Sequence, residues 1–130
     1  MSDDKPMVGQ LQRSEPPVVA WSVVCLCAAW CGVCRQYEAD FQQLQAKFPD
    51  VRFEWMDVEA CEAVVGDVDV ETFPTLLIGV NERPLFLGPL LPQIKVLERL
   101  LASLLEGQSA SSSLPAEAWP LWQRVRAQWP

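Results

Sequence analysis

Residues 18–34 read VVAWSVVCLCAAWCGVC, an apolar run that ends in two cysteines separated by two residues. Up to Cys27 the run is β-branched and apolar with little alternation, which is typical of a strand buried on both faces. The residues from Cys31 to about Phe48 predict a helix. Apolar side chains recur there at spacings of four, three and four: Tyr37, Phe41, Leu44 and Phe48.

A Cys-x-x-Cys pair at the junction of a strand and a helix predicts thiol–disulfide chemistry. A cysteine in the first turn of a helix faces unpaired N–H groups and the positive end of the helix dipole. These surroundings favour the thiolate, which is the attacking species. Cys34 follows about one turn later on the same face, where it can close a disulfide. We therefore assign Cys31 as the nucleophile and Cys34 as the resolving thiol.

Composition limits the class of protein. A chain of 130 residues, half of them apolar, is long enough for one domain with a substantial core. The absence of histidine excludes Cys–His proteolysis, Ser–His–Asp catalysis and every metal site that needs a histidine ligand. The net charge of −7 argues against nucleic acid and anionic membrane surfaces as partners. We expect a monomer with neither type of partner.

The start of the chain bears on location. Residues 1–17 are slightly acidic, contain three prolines and lack the basic start of a secretory signal. The apolar run that follows is too short to span a bilayer. We expect a flexible segment over 1–17 and a cytoplasmic protein, in which a dithiol cycles rather than cross-links the fold. An atypical secretory signal is the alternative.

The remaining pattern predicts the order β-α-β-α-β-β-α. The strands after the first are expected at Val51–Val58, Thr75–Val80 and Arg83–Leu87, the last two joined by an Asn81-Glu82 turn. A short helix or irregular crossover is expected over Glu59–Val68. Gly88-Pro89 predicts a break before a final helix over Pro92–Leu105. This order gives an α/β domain over 18–106, with a mixed sheet and helices on both sides.

Residues 107–130 form a separate region by composition. Gly107–Ser113 is typical of a flexible linker. Beyond it, Trp122, Val125 and Trp129 fall on one helical face, and Trp119 adds a third tryptophan. This tryptophan-rich tail either folds back to complete the core or presents an amphipathic helix to a groove of another protein. We favour docking on the chain's own domain.

The ordered set of motifs over about 18–105 resembles the thioredoxin family. It comprises the strand before Trp30-Cys31-Gly32-Val33-Cys34, the following helix, Phe73-Pro74-Thr75, the hairpin, and Gly88 before the last helix. The resemblance implies a three-layer α/β/α fold with a central mixed β-sheet. It also implies a protein thiol–disulfide oxidoreductase of cell redox homeostasis, with protein disulfide or dithiol substrates. An external reductase or dithiol would supply electrons, and no bound cofactor is implied.

The resemblance also assigns roles around the dithiol. The Phe73–Pro74 peptide bond should be cis, so that the backbone at Phe73, Pro74 and Thr75 lies beside the cysteines and pairs with an extended substrate. Trp30 should shield the motif and offer the substrate an apolar contact.

Three positions depart from the family pattern. One is Ala39, where most family members have a kink-forming proline. The other two concern a buried ion pair. A buried aspartate that serves proton transfer is expected six residues before the nucleophile, where this chain has Cys25, and the lysine near that acid is replaced by Trp55. Cys25 is either a small buried hydrophobe, which we favour, or an accessory thiol that accepts the disulfide from below Cys34. Loss of the ion pair also supports an alternative function, a thioredoxin-fold binding or assembly factor with little or no redox turnover.

The other cysteines and the acidic residues leave further alternatives. Cys25 and Cys27 share one strand face and could join the dithiol in a four-thiolate metal site, but a buried strand lacks flexible knuckles, so we expect no metal. Cys61 is expected to be incidental rather than a reactive extra thiol. Six acids and no base occupy residues 57–71, either as a solvated face or as a rim that attracts a basic partner. Such a rim and the free N–H of Val33 would act in opposite directions on the redox potential.

Overall fold

The computed structural model describes residues 20–129 apart from positions 29, 67, 69, 71, 72 and 108–113. The predicted flexible segment 1–17 and most of the predicted linker over 107–113 lie outside these residues. So do three of the six clustered acids, Asp67, Asp69 and Glu71.

The described residues contain four strands and four helices. In chain order they are β1 (Trp21–Cys27), α1 (Gly32–Gln45), β2 (Val51–Asp57), α2 (Glu62–Val65), β3 (Thr75–Val80), β4 (Arg83–Pro89), α3 (Ile94–Leu105) and α4 (Ala118–Arg126). The sheet order is β2-β1-β3-β4, in which β1 and β2 are parallel and the other neighbours are antiparallel. The predicted α/β class with a mixed sheet is confirmed.

The break predicted at Gly88-Pro89 is wrong, because β4 continues through both residues. Strand β4 lies at the edge of the sheet and has a neighbouring strand on one side only. A proline is tolerated there, because its missing N–H is not needed to bond a second neighbouring strand. The predicted turn between β3 and β4 is confirmed. Asn81 adopts the left-handed region with φ 53°, which asparagine tolerates better than most residues.

Strand β1 is the central element of the core, and its side chains from Val23 to Cys27 have no exposed surface. Successive side chains of a strand point to opposite faces, so β1 serves two apolar clusters. Val23, Cys25 and Cys27 pack on one face against α1 and α3. Val24 and Leu26 pack on the other face, where α2 and α4 lie. The three-layer arrangement follows from this alternation.

The tryptophan-rich tail covers the second face of the sheet. Leu121, Trp122 and Val125 of α4 are buried in the same cluster as Val24 and Leu26. The indole N–H of Trp122 donates to the carbonyl of Asn81 at 3.2 Å, which satisfies the polar atom of a buried ring. The prediction that the tail docks on its own domain is confirmed.

Candidate active site

Cys31 lies at the N-terminus of a helix, as predicted. It is the N-cap residue of α1, and the first helical hydrogen bond runs from the N–H of Arg35 to the Cys31 carbonyl at 3.2 Å. The N–H groups before Arg35 in the first turn have no partner within the helix and mark its positive end. Cys31 is a free, half-buried thiol. A Cβ built on Gly32 meets no atom within 4 Å, so the turn faces open space.

Cys34 is buried and is bonded to a different cysteine from the one predicted. The structure joins Cys34 to Cys27 in a disulfide, with the two Cα atoms 5.8 Å apart, and leaves Cys31 free. The motif predicted a bond between Cys31 and Cys34. Cys27 is the last residue of β1 and faces the same core cluster as Cys34, so the first turn of α1 brings Cys34 onto it. The N–H of Ala28 also donates to the Cys34 sulfur at 3.3 Å.

Cys25 is a buried free thiol two residues deeper along β1. Burial, with a smaller contribution from the charge of Glu38, raises the pKa of this thiol well above its usual range, so it remains protonated. At about 3.3 Å per residue, it lies roughly 7 Å below Cys27. Cys34 is bonded to Cys27, and Cys25 is the small buried residue that the sequence favours rather than the accessory thiol of the alternative. Cys25 pairs in register with Trp55, so these two departures from the family pattern are neighbours.

Trp30 and Phe73 come together beside the motif. Their rings meet edge to face with centroids 5.9 Å apart, and Trp30 is 63 % exposed. The indole N–H of Trp30 donates to a carboxylate oxygen of Glu59 at 2.9 Å. Trp30 is thus held in place by the contact with the Phe73 ring and by its indole nitrogen, and it presents an apolar surface next to Cys31.

Pro74 and Thr75 lie behind this surface. The Phe73–Pro74 bond is cis, which confirms the prediction. Both Pro74 and Thr75 are buried. The Pro74 carbonyl accepts a hydrogen bond from the N–H of Leu90 at 3.1 Å, and Thr75 is paired with both β1 and β4. Of the four predicted substrate-binding residues, Trp30 and Phe73 supply the accessible side chains.

The described acids at the end of β2 have distinct environments. A carboxylate oxygen of Asp57 accepts hydrogen bonds from the N–H groups of Glu59 and Ala60, at 2.8 and 3.1 Å. Asp57 therefore shapes the turn after β2. Glu59 is exposed and reaches Trp30, which brings one negative charge to the rim of the site.

Comparisons with known proteins identify the family and the fold. A thioredoxin family model matches residues 11–86. The chain is 28 % identical over 101 residues to a thioredoxin of Aspergillus fumigatus, covering 78 % of this chain and 90 % of that protein. It is 38 % identical over 79 residues to thioredoxin domain-containing protein 2 of Rattus norvegicus, covering 59 % of this chain and 14 % of that protein.

Two solved structures have the same fold. The germline-specific thioredoxin Deadhead of Drosophila melanogaster superposes with a TM-score of 0.59 at 23 % identity, over 65 % of this chain and 81 % of that one. Thioredoxin f2 of Chlamydomonas reinhardtii gives a TM-score of 0.60 at 18 % identity, over 72 % and 87 % of the two chains.

The chain belongs to the thioredoxin family. Its fold is the predicted thioredoxin-like α/β fold. Family membership and the Cys27–Cys34 disulfide together support a thiol–disulfide oxidoreductase. Within the described part of the chain, no helix has the length and apolar character needed to cross a bilayer.

Proposed function

We propose that the protein exchanges disulfides with protein substrates and that the sulfur of Cys31 makes the attack. The observation that carries this proposal is the position of Cys31. It is a free, half-buried thiol at the N-terminus of α1, beside the Trp30–Phe73 surface. Cys25 is fully buried and protonated, so it is no competitor for this role.

The reaction starts from the reduced protein. The Cys31 thiolate attacks one sulfur of a substrate disulfide and forms a mixed disulfide, and the other substrate sulfur leaves as a thiolate. The Cys34 thiolate then attacks the Cys31 sulfur and releases the second substrate thiolate. The substrate gains two electrons, and the protein is left with a Cys31–Cys34 disulfide. An external reductase or dithiol returns the two electrons.

The protein with its Cys27–Cys34 bond is an oxidised form in this scheme. Cys34 has no free thiol in that form and cannot resolve a mixed disulfide on Cys31. It has to gain two electrons before it can reduce a substrate.

The Trp30–Phe73 surface suits an extended polypeptide. Trp30 and Val33 are exposed apolar side chains on either side of Cys31 in the sequence. Aromatic surface contributes much of the binding energy of protein contacts at a small entropic cost. We infer that the residues flanking a substrate disulfide pack against Trp30 and Phe73, with Pro74 and Thr75 supporting that segment from behind.

A disulfide-reduction assay tests the proposal. Wild-type protein supplied with dithiothreitol should reduce the disulfides of insulin, and Cys31→Ser should lose this turnover. Cys61→Ser is the matched control, because Cys61 is also a free, half-buried thiol, and it should keep turnover. Full activity of Cys31→Ser would overturn the assignment of the nucleophile. A wild type that forms its disulfide reversibly but shows no turnover would support the binding or assembly factor instead.

A trapping experiment identifies the substrates. Cys34→Ser removes the resolving thiol, so mixed disulfides on Cys31 should accumulate in cell extracts. Cys31→Ser/Cys34→Ser is the control, and it should capture none of the same proteins.

We also propose that the protein works in the cytoplasm. The proposed cycle needs electrons from an external reductase or dithiol, and a reducing compartment supplies them. Fractionation with an antibody to the native protein tests this, and recovery in a secreted or organellar fraction would contradict it.

A further inference from the structure

We propose that Cys27 is a third redox thiol, which takes the disulfide over from Cys31 and holds it beneath the active site as the Cys27–Cys34 bond. The inference rests on the proposed function, because the disulfide that moves is the one formed when Cys31 and Cys34 reduce a substrate. It adds a step that the Cys-x-x-Cys motif does not contain.

Cys34 has a possible bonding partner on each side. Cys31 lies three residues earlier on α1, about one helical turn away, and is half-buried. Cys27 ends β1, is fully buried, and is the residue to which Cys34 is bonded. The three sulfurs therefore run from the surface to the core in the order Cys31, Cys34, Cys27. Because a thiolate can attack either sulfur of a neighbouring disulfide, this order allows one disulfide to move inward.

The inward step is a balanced exchange. The Cys27 thiolate attacks the Cys34 sulfur of the Cys31–Cys34 disulfide. The Cys27–Cys34 bond forms, the Cys31–Cys34 bond breaks, and the electron pair leaves on the Cys31 sulfur as a thiolate. Cys27 loses its thiol proton before it attacks, and the Cys31 thiolate can take up a proton afterwards. One disulfide replaces another, so no electrons enter or leave the protein. The N–H of Ala28, 3.3 Å from the Cys34 sulfur, holds the shared atom at the end of β1.

The consequence is an oxidised protein whose exposed cysteine is free. The disulfide is out of reach of an external dithiol, because Cys27 and Cys34 are 0 % and 1 % exposed. Reduction then begins with the reverse step, in which the Cys31 thiolate attacks Cys34 and brings the disulfide back to the surface. The external dithiol attacks at Cys31, which is the entry and exit point for electrons.

Cys25 provides the matched control. It lies on the same strand and the same face as Cys27 and is equally buried, but it is a free thiol farther from Cys34. Cys27→Ala and Cys25→Ala remove the same atom type from the same layer of the core. Any effect that requires bonding to Cys34 should appear in the first variant and not in the second.

The test is to map the disulfide of the oxidised protein. Fully reduced wild type, Cys25→Ala and Cys27→Ala are each oxidised with an equimolar amount of diamide, alkylated with iodoacetamide, and digested without reduction for mass spectrometry. Wild type and Cys25→Ala should give a Cys27–Cys34 linked peptide and an alkylated Cys31. Cys27→Ala should give a Cys31–Cys34 peptide and lose the label on Cys31. Wild type with a Cys31–Cys34 bond, or a Cys27→Ala variant that keeps Cys31 labelled, would overturn the proposal.

A time course on the wild type needs no variant. After reduced protein is mixed with insulin, alkylation of Cys31 should first fall and then recover as the Cys27–Cys34 peptide accumulates. A Cys27–Cys34 bond that resists the initial reduction and stays intact while insulin is reduced would mean a purely structural cross-link and would overturn the relay. In that case Cys31 could still make the attack, with an external dithiol resolving the mixed disulfide in place of Cys34, whereas absence of turnover in the wild type would overturn the proposed function itself.

Discussion

The cysteines illustrate what a local motif can and cannot specify. The Cys-x-x-Cys spacing predicted the position of Cys31 at the start of α1, because strand pattern and helix pattern meet there. The partner of Cys34 depends on how far β1 extends before α1 packs on it, which is a tertiary contact. One sequence clue indicates this partner. The β-branched part of the apolar run ends at Cys27, so Cys27 lies at the strand end nearest the helix. Cys25, two residues earlier, occupies the position of the family's buried aspartate and is a free thiol.

Trp30 should contribute to substrate binding more than to stability, because most of its ring is in contact with solvent. We expect Trp30→Ala to lower kcat/KM for insulin reduction roughly tenfold, equivalent to about 1.4 kcal/mol of lost contact with the substrate. Trp119→Ala is the control, since Trp119 is also an exposed tryptophan, 46 % accessible, but belongs to α4. Equal losses in the two variants would show that Trp30 has no special role.

Tyr37 is the single tyrosine of the chain and should make stability depend on alkaline pH. Its hydroxyl is buried and has no hydrogen-bond partner among the described residues. Burial is the main cause that raises the pKa of this hydroxyl above its usual range, and the negative charge of Asp40 adds to it. The unfolded chain ionises near pH 10 while the folded protein does not, so the free energy of unfolding should fall above pH 10.

Tyr37→Phe removes this dependence. Near pH 7 we expect the variant to match the wild type within about 1 kcal/mol, because an unpaired buried hydroxyl contributes little. Above pH 10 it should lose less stability than the wild type, by about 1.4 kcal/mol for each pH unit until the folded tyrosine also ionises. Urea denaturation at several pH values measures the difference. Cys25 has a raised pKa in both proteins, so its contribution cancels, and parallel pH profiles would contradict the prediction.

Among the elements, α2 depends on a neighbour. It has four residues and ends at Gly66, which has a positive φ of 65°. The guanidinium of Arg124 on α4 donates to the carbonyls of Val64 and Val65, at 2.6 and 3.0 Å. The last carbonyls of a helix lack partners within it, and a cation there also complements the helix dipole. Arg124 therefore caps α2 from a distant part of the chain.

Replacing Arg124 should loosen α2 and α4 together. We expect Arg124→Met to lower the free energy of unfolding by about 1 to 3 kcal/mol, since the half-buried carbonyls lose two charge-assisted hydrogen bonds. Arg126→Met is the control, because Arg126 is on the same helix and takes no part in these two bonds. Hydrogen exchange of the α2 amides should also rise in the first variant. Unchanged exchange and stability would refute the capping role.

Element bounds followed from the sequence wherever local signals agreed. Strand β3 and the Asn81 turn lie where predicted, because alternation, a preceding proline and a turn residue point to the same boundaries. The end of β4 did not follow from the sequence. Gly88 and Pro89 interrupt a central strand but are tolerated in an edge strand. Edge position is a property of the whole sheet and has no local signal.

At the scale of the whole molecule, the close packing of α4 on the sheet determines which residues fit between them. A Cβ built on Gly79 of β3 would lie 2.5 Å from an indole carbon of Trp122 and 2.7 Å from the Arg83 carbonyl. Neither a buried ring nor a strand backbone can move aside at small cost. The absence of a side chain at Gly79 therefore leaves the space that the Trp122 ring occupies against the sheet.

Gly79→Ala should destabilise the protein by about 1 to 3 kcal/mol, the usual cost of overpacking a core. Gly88→Ala is a matched control in the neighbouring strand, because its added Cβ would contact Phe86 at an ordinary 3.4 Å. We expect the control to change stability by less than about 1 kcal/mol. Thermal unfolding of both variants compares them, and equal stability would contradict the close-approach argument.

The layered arrangement was largely predictable, because β1 had to be buried on both faces and apolar helices flanked it in the chain. The sequence does not determine where the tryptophan-rich tail packs. Amphipathic spacing shows that Trp122 and Val125 need an apolar partner, but it does not show which one. The vacant face that α4 fills is defined by residues on β1, β2 and β3 together.

The contact between α4 and the sheet has a consequence for biosynthesis. The ribosome synthesises β1 with its cysteines long before it synthesises Trp122. One apolar face of the sheet therefore stays exposed until α4 leaves the exit tunnel. During that interval the cysteines are already synthesised while the opposite face of β1 lacks its cover. In that interval, chaperones that bind apolar surfaces can bind the exposed face, and oxidants can react with the thiols before folding is complete.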